Sequence, residues 1–134
     1  MRYKYSTLLS GQDMPDSLPR LPLLLQSGSY SIEALGLVDS GATVNVLPFE
    51  LGEKLGFAWD DSKATIRLAG NIQRSGAIPI LLRAQLADFS PVTLAFAWIP
   101  HDDAPVILGQ ANFFKVFEVC FFGQALEFEV NLKK

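Results

Sequence analysis

Leu37-Val38-Asp39-Ser40-Gly41-Ala42-Thr43 carries a carboxylate out of an apolar run and straight into a turn of small residues. Leucine and valine read as the end of a buried strand, and Ser-Gly reads as a tight turn in which the backbone can approach a neighbour closely. An acid at the end of a buried strand is held by the sheet rather than by a mobile loop. No second Asp-Ser-Gly or Asp-Thr-Gly occurs in the 134 residues, so whatever this turn does, one chain carries it once.

Upstream, Leu21 to Gln26 and Ser31 to Val38 form two strands around Ser27-Gly28-Ser29, a hairpin that ends on Asp39. Arg2 to Thr7 makes a first strand, and the polar, proline-bearing Ser10 to Pro19 reads as a loop or flexible arm. Residues 1–20 are therefore an N-terminal strand and arm, and 21–134 the body of a single-domain chain. Downstream, Phe49 to Leu55 is a helix candidate: Pro48 suits its start, Glu50 and Glu53 lie near its positive end, and Gly56 stops it.

Strand patterning returns over Ala64 to Leu68, Ala77 to Leu86 and Val92 to Ile99, punctuated by Gly70-Asn71 and the Asp88 to Pro91 turn. Val106 to Leu108 is a short buried run ending in Gly109, and Gln110 to Val116 has the spacing of one or two helical turns. Glu118 to Phe122 and Ala125 to Leu132 close the chain as a hairpin around Gly123-Gln124. Leu126, Phe128 and Val130 would line its apolar face, and Glu127, Glu129 and Asn131 its wet one. The class is all-β with one or two short helices.

Composition narrows the partners. Hydrophobic residues make up 49% and charged residues 19%, a compact and rather apolar protein whose surplus apolar surface suggests a subunit interface. A net charge of -3 offers no footprint for nucleic acid or for an anionic membrane. With Cys120 as the only cysteine there is no intrachain disulfide to form. The Leu21–Leu25 patch is short and interrupted by Pro22, so neither a signal peptide nor a membrane span is readable, and the expected location is cytoplasmic.

Four pieces in this order make the chain resemble the retropepsin-like aspartic proteases, the single-domain type found in retroviruses. They are the strand leading into Asp39-Ser40-Gly41-Ala42 with Val46-Leu47 beyond, a glycine-containing hairpin from Ile66 to Ile78 in the place of the family's flap, Ile107-Leu108-Gly109 followed by a short helix, and a C-terminal strand. The resemblance spans Leu21 to Leu132. It implies a closed β-barrel with a flap, and an aspartic endopeptidase active as a homodimer on extended peptides, without metal or organic cofactor. Two carboxylates about 3 Å apart cannot both ionise, so they share a proton around one water, and the second must come from a twin subunit.

The resemblance also assigns roles. Asp39, Ser40 and Gly41 would form the catalytic turn: Ser40 would donate its hydroxyl across the two-fold axis, and Gly41 would let the backbones approach. Ala42 and the flap residues Ala69, Gly70, Asn71 and Ile72 would meet substrate, with Val46, Leu47 and Ile80 near the cleft. Ala42 brings no hydroxyl to the ionised pair, which predicts a mildly acidic optimum. Many viral members join an acid shortly after the catalytic turn to an arginine after the apolar-apolar-Gly element. Those neighbourhoods here hold Thr43, Val44 and Asn45, and Gln110, so that ion pair is absent.

Other residues have ordinary readings. His101, the sole histidine, follows Pro100 and precedes Asp102-Asp103, which reads as a loop rather than a base or a metal site. Cys120 falls in an apolar pattern and reads as a core residue rather than a nucleophile. Asp60-Asp61 caps or solvates a turn, and Phe113, Phe114, Phe117, Phe121 and Phe122 supply core and subunit contact. The competing reading is a retropepsin-fold binding or dimerisation module that cleaves nothing. A weaker one makes the chain half of a heteromeric or fused assembly.

Overall fold

The computed structural model describes residues 1–9, 15–68 and 76–133. Its centre is a closed barrel built from β4 (Arg20–Ser27), β5 (Tyr30–Val38), β6 (Asn45–Leu47), β7 (Ile78–Gln85), β8 (Val92–Trp98) and β9 (Val106–Leu108), in the order β4-β5-β9-β6-β8-β7. β4 and β5 form the predicted hairpin, paired from Arg20↔Leu37 to Ser27↔Tyr30. β7 and β8 form a second hairpin, and Leu24 to Gln26 of β4 pair with β7 to close the ring.

Side-chain alternation explains why these segments close on one interior. In β4, Leu21, Leu23 and Leu25 are buried while Pro22 is exposed; in β7, Ile78, Ile80, Leu82 and Ala84 are buried while Pro79, Leu81 and Arg83 face out. A period of two puts every second side chain inside. β6 and β9 are different, buried along their whole length, as expected of short strands with neighbours on both sides.

Helix α1 (Phe49–Lys54) follows β6 and stops where the sequence predicts, with Gly56 at φ +90°. It packs against Trp98, whose indole is 1% exposed and stacks on Phe49 at a centroid distance of 5.5 Å. Trp59 and Phe57 close over the same ring at 5.1 and 6.0 Å, and Trp98 Nε1 donates to Phe49 O. Gly52 has to be glycine because a Cβ there would lie 2.1 Å from Trp98 Nε1.

Outside the barrel, β1 (Arg2–Lys4), β11 (Glu127–Leu132) and β10 (Phe117–Phe122) make a three-stranded sheet in the order β1-β11-β10. Phe128, Val130 and Phe117 of this sheet are buried in the main core, with Tyr3 stacked on Phe128 at 5.4 Å and Phe113 of α2 (Phe113–Val116) against Phe117 at 5.1 Å.

Several expectations need correction. The loop expected over Ser10 to Pro19 contains a strand, β3 (Pro15–Leu18), paired with β2 (Ser6–Leu9); proline and aspartate disguise it, and an edge strand tolerates both. The first strand expected over Arg2 to Thr7 breaks at Tyr5, whose N–H is diverted to Leu126 O at 2.8 Å. Ala64 to Leu68 is not a strand: only Ile66 pairs, with Ala77. Leu126 leaves the apolar face of the last hairpin because it ends the turn at φ 55°, and is 49% exposed. Cys120 is exposed rather than in the core, since alternation from the buried Phe117 turns it outward. No helix among the described residues is long and apolar enough to cross a membrane.

Candidate active site

Three strands deliver the Asp39 turn. β5 runs parallel to β9 through Gly36↔Val106, Leu37↔Ile107 and Val38↔Leu108, and β6 flanks the other side of β9 through Val46↔Ile107. The chain therefore leaves β5, turns at Asp39 to Thr43 and re-enters the barrel on the far side of β9. The turn spans the end of the strand it must cross.

Backbone hydrogen bonds fix it at both ends. Asp39 N donates to Leu108 O at 3.0 Å, and Ala42 N donates to Asp39 O at 3.1 Å. Gly41 N donates to the Asp39 carboxylate, Oδ1, at 2.9 Å. On the returning side Gln110 N donates to Ala42 O and Ala111 N to Thr43 O, both at 2.9 Å, while Asn45 N donates to Ala111 O at 3.1 Å. These contacts require Gly109: a Cβ there would lie 2.5 Å from Val44 O and 2.8 Å from Ala42 O. The Ile107-Leu108-Gly109 element thus packs behind the turn as expected.

Amide side chains complete the scaffold where the sequence lacks an ion pair. Asn45 is fully buried; its Oδ1 accepts from Gly109 N at 2.7 Å, and its Nδ2 donates to Ala95 O at 2.9 Å and to Asn112 Oδ1 at 3.3 Å. Asn112 Oδ1 also accepts from Ala95 N at 2.9 Å. β6, β8 and the segment after β9 are tied through two neutral side chains. Gln110 Nε2 reaches back 70 residues to donate to Ser40 O at 2.8 Å. The sequence flags Asn45 and Gln110 only as departures from the viral ion pair. The signal for their role is position: Gln110 directly follows the apolar-apolar-Gly element.

A cleft of about 220 Å³ opens over the turn, lined by Asp39, Gly41, Ala42, Thr43, Val44, Val46, Leu68 and Ile107. Asp39 is half-buried, Ser40 and Gly41 are exposed, and the walls are apolar apart from Thr43. Among the described lining residues Asp39 is the one acid. The structure brings together Asp39, Gly41 and Ala42 here, with Ser40 in the same turn. Ala69, Gly70, Asn71 and Ile72 lie outside the described residues; before and after them in the chain, Ile66 N donates to Ala77 O at 3.0 Å and Ala77 N to Ile66 O at 2.9 Å. Val46 lines the cleft as expected, whereas Leu47 and Ile80 point into the main core.

The remaining candidates sit apart from this cleft. His101 Nδ1 accepts from Asp103 N at 3.2 Å, a local loop contact. Asp60 caps a single 3-10 turn, Asp61–Lys63. A larger depression of about 510 Å³ lies against β4 and β5, where Glu33 and Gln85 are set among apolar neighbours such as Leu23 and Leu35. No group of three or more His, Cys, Asp or Glu side chains among the described residues is placed to hold a metal.

No family model and no curated protein matches this sequence. Among solved structures, the chain is similar to a retropepsin-like aspartic protease from Rickettsia conorii, with a TM-score of 0.58, 18% identity and 96% of each chain covered. The likeness is one of architecture along almost the whole of both chains: this chain has a retropepsin-like fold.

Proposed function

We propose that the chain is an aspartic endopeptidase, active as a homodimer, that hydrolyses peptide bonds in extended polypeptides with a water held between two Asp39 carboxylates. The observation that carries this reading is the braced Asp39 turn at the floor of an apolar cleft, with no other acid among the described lining residues. A shared-proton pair then needs the same residue from a second copy, and the exposure of Ser40 and Gly41 leaves that face of the turn accessible to one.

In this mechanism one carboxylate takes a proton from the water as its oxygen attacks the carbonyl carbon. The other gives its proton to the carbonyl oxygen. Collapse of the tetrahedral diol returns a proton to the amide nitrogen as the carbon–nitrogen bond breaks. Water is the nucleophile, so no acyl-enzyme forms. Gly41 N–H, aimed at Asp39 Oδ1, holds one carboxylate oxygen in place. This reading assigns the flap to the stretch between Ile66 and Ala77, where Ala69, Gly70, Asn71 and Ile72 would meet the substrate backbone and closure would exclude bulk water. Val44, Val46, Leu68 and Ile107 offer apolar walls to side chains of a peptide bound by strand addition.

The test is cleavage of a library of extended peptides at mildly acidic pH, with and without a statine-type transition-state analogue. Cleavage that the analogue blocks supports the enzyme. A dimer that cleaves nothing across the acidic range, in which the two Asp39 carboxylates stand too far apart to share a proton, favours the binding module instead.

A further inference from the structure

We infer that Gln110 is a positioning residue that locks the Ser40–Gly41 peptide plane, so that Gly41 N–H stays aimed at the Asp39 carboxylate. Its consequence for turnover rests on the protease reading above; the lock itself does not.

The argument begins with one peptide unit. The carbonyl of Ser40 and the N–H of Gly41 belong to the same planar, trans amide, so they point in opposite directions and move together. Gln110 Nε2 donates to that carbonyl at 2.8 Å, and that N–H donates to Asp39 Oδ1 at 2.9 Å. Fixing one end of the plane therefore fixes the other. Rotation of the plane by half a turn would direct the Ser40 carbonyl dipole at the carboxylate, where two acceptors repel. Glycine at position 41 is the residue type that most readily permits such a rotation, so the turn that needs close approach is also the one that needs a restraint.

The other hydrogen bonds of the turn do not supply it. Asp39 N to Leu108 O and Ala42 N to Asp39 O hold the peptide units on either side, and Gln110 N holds Ala42 O. Among the described residues the Ser40–Gly41 unit is gripped by side chains alone, Asp39 on its N–H and Gln110 on its carbonyl. Donation into the carbonyl also polarises the amide and strengthens the bond its N–H makes to the acid. The Gln110 backbone is itself anchored to the turn, which sets the reach of its side chain. An amide suits this place because it donates without charge beside Asp39, at every pH.

The experiment compares the full-length protein with Gln110→Ala and Gln110→Glu, by amide hydrogen exchange and by steady-state kinetics over the acidic range. For Gln110→Ala the Gly41 amide is expected to exchange about tenfold faster, the loss of one hydrogen-bond restraint. kcat is expected to fall by about the same factor with KM nearly unchanged, since substrate binding does not use Gln110. Gln110→Glu separates positioning from mere support. Its protonated side chain still donates to Ser40 O, but the ionised one cannot and sets a second negative charge near Asp39. Its kcat relative to wild type should approach unity below about pH 4.3, the ordinary glutamate range, and drop above it.

Wild-type exchange at Gly41 and a wild-type pH profile in both variants would overturn the inference. If the wild-type protein cleaves nothing, the protease reading falls, and the Gly41 exchange rate still decides whether Gln110 holds the plane.

Discussion

Asp39 and Asp60 open turns with the same local hydrogen bond, and of the two it is Asp39 that lines the cleft. In each, the carboxylate accepts from the backbone N–H two residues on: Gly41 N to Asp39 Oδ1 at 2.9 Å, Ser62 N to Asp60 Oδ1 at 3.0 Å. The differences are all long-range. Asp39 is followed by a turn stitched to Leu108, Gln110 and Ala111, and it lines an apolar cleft. Among the described residues the Asp60 carboxylate is bonded to Ser62 alone, by backbone and hydroxyl, and stands in open solvent at the start of a one-turn helix. The dipeptide geometry makes a turn; strands far away in sequence make the turn a candidate for chemistry.

Substitution at the two aspartates is the strongest way to break that contrast. Asp39→Asn keeps size and the acceptor for Gly41 N but cannot exchange a proton, so peptide cleavage should fall by roughly a thousandfold or more with the thermal transition little changed. Asp60→Asn should leave cleavage at the wild-type rate. Equal activity in both variants, read with a fluorogenic peptide at acidic pH, would remove Asp39 from the mechanism.

Removing the brace tests the long-range half of the contrast. Asn45→Ala strands the buried Gly109 N–H and the Ala95 carbonyl, and is expected to cost about 2–4 kcal/mol of stability by denaturant titration. Gly109→Ala drives a methyl into the carbonyls of Ala42 and Val44, which should cost about 1–3 kcal/mol and slow cleavage as the turn shifts. A Gly109→Ala protein with unchanged activity would mean the turn does not depend on its backing strand.

The smallest effect belongs to the other turn. Hydrogen bonds from the Ser62 hydroxyl and backbone hold the Asp60 carboxyl below its ordinary range. A lowered folded-state value means the stabilisation is present above the unfolded value and is lost as pH falls through the folded one. Asp60→Ala should therefore lower the melting temperature slightly at neutral pH and not at all in strong acid. A deficit that persists in strong acid would mean that the carboxylate charge is not its source.

Much of the barrel was legible because its cause is local. Alternation in Leu21 to Leu25 and Ile78 to Ala84, the Pro48 and Gly56 bounds of α1, and the apolar run into Asp39 each announce themselves within a few residues. What stayed hidden depends on partners. Pro15 to Leu18 carries no β-forming composition, and it is a strand because β2 pairs with it. Asn45 sits between Val44 and Val46, where polarity would suggest an outward side chain; it is buried because β6 has β8 on one side and β9 on the other. Gln110 could be read as a missing arginine, but not as a donor to Ser40, since 70 residues separate the two. The placement of Asp39, by contrast, was readable from its own strand.

The packing of Trp98 gives the protein a built-in optical gauge. Its indole is sealed beneath Phe49, Phe57 and Trp59, with its N–H committed to Phe49 O, so its fluorescence emission should be blue in the native protein and move to the red when α1 detaches. That ring lies in the main core, whereas Asp39 and the cleft belong to a different packing neighbourhood. Emission colour should therefore sort inert variants into those that have lost a proton donor and those that have come apart, in the same cuvette as the kinetic assay.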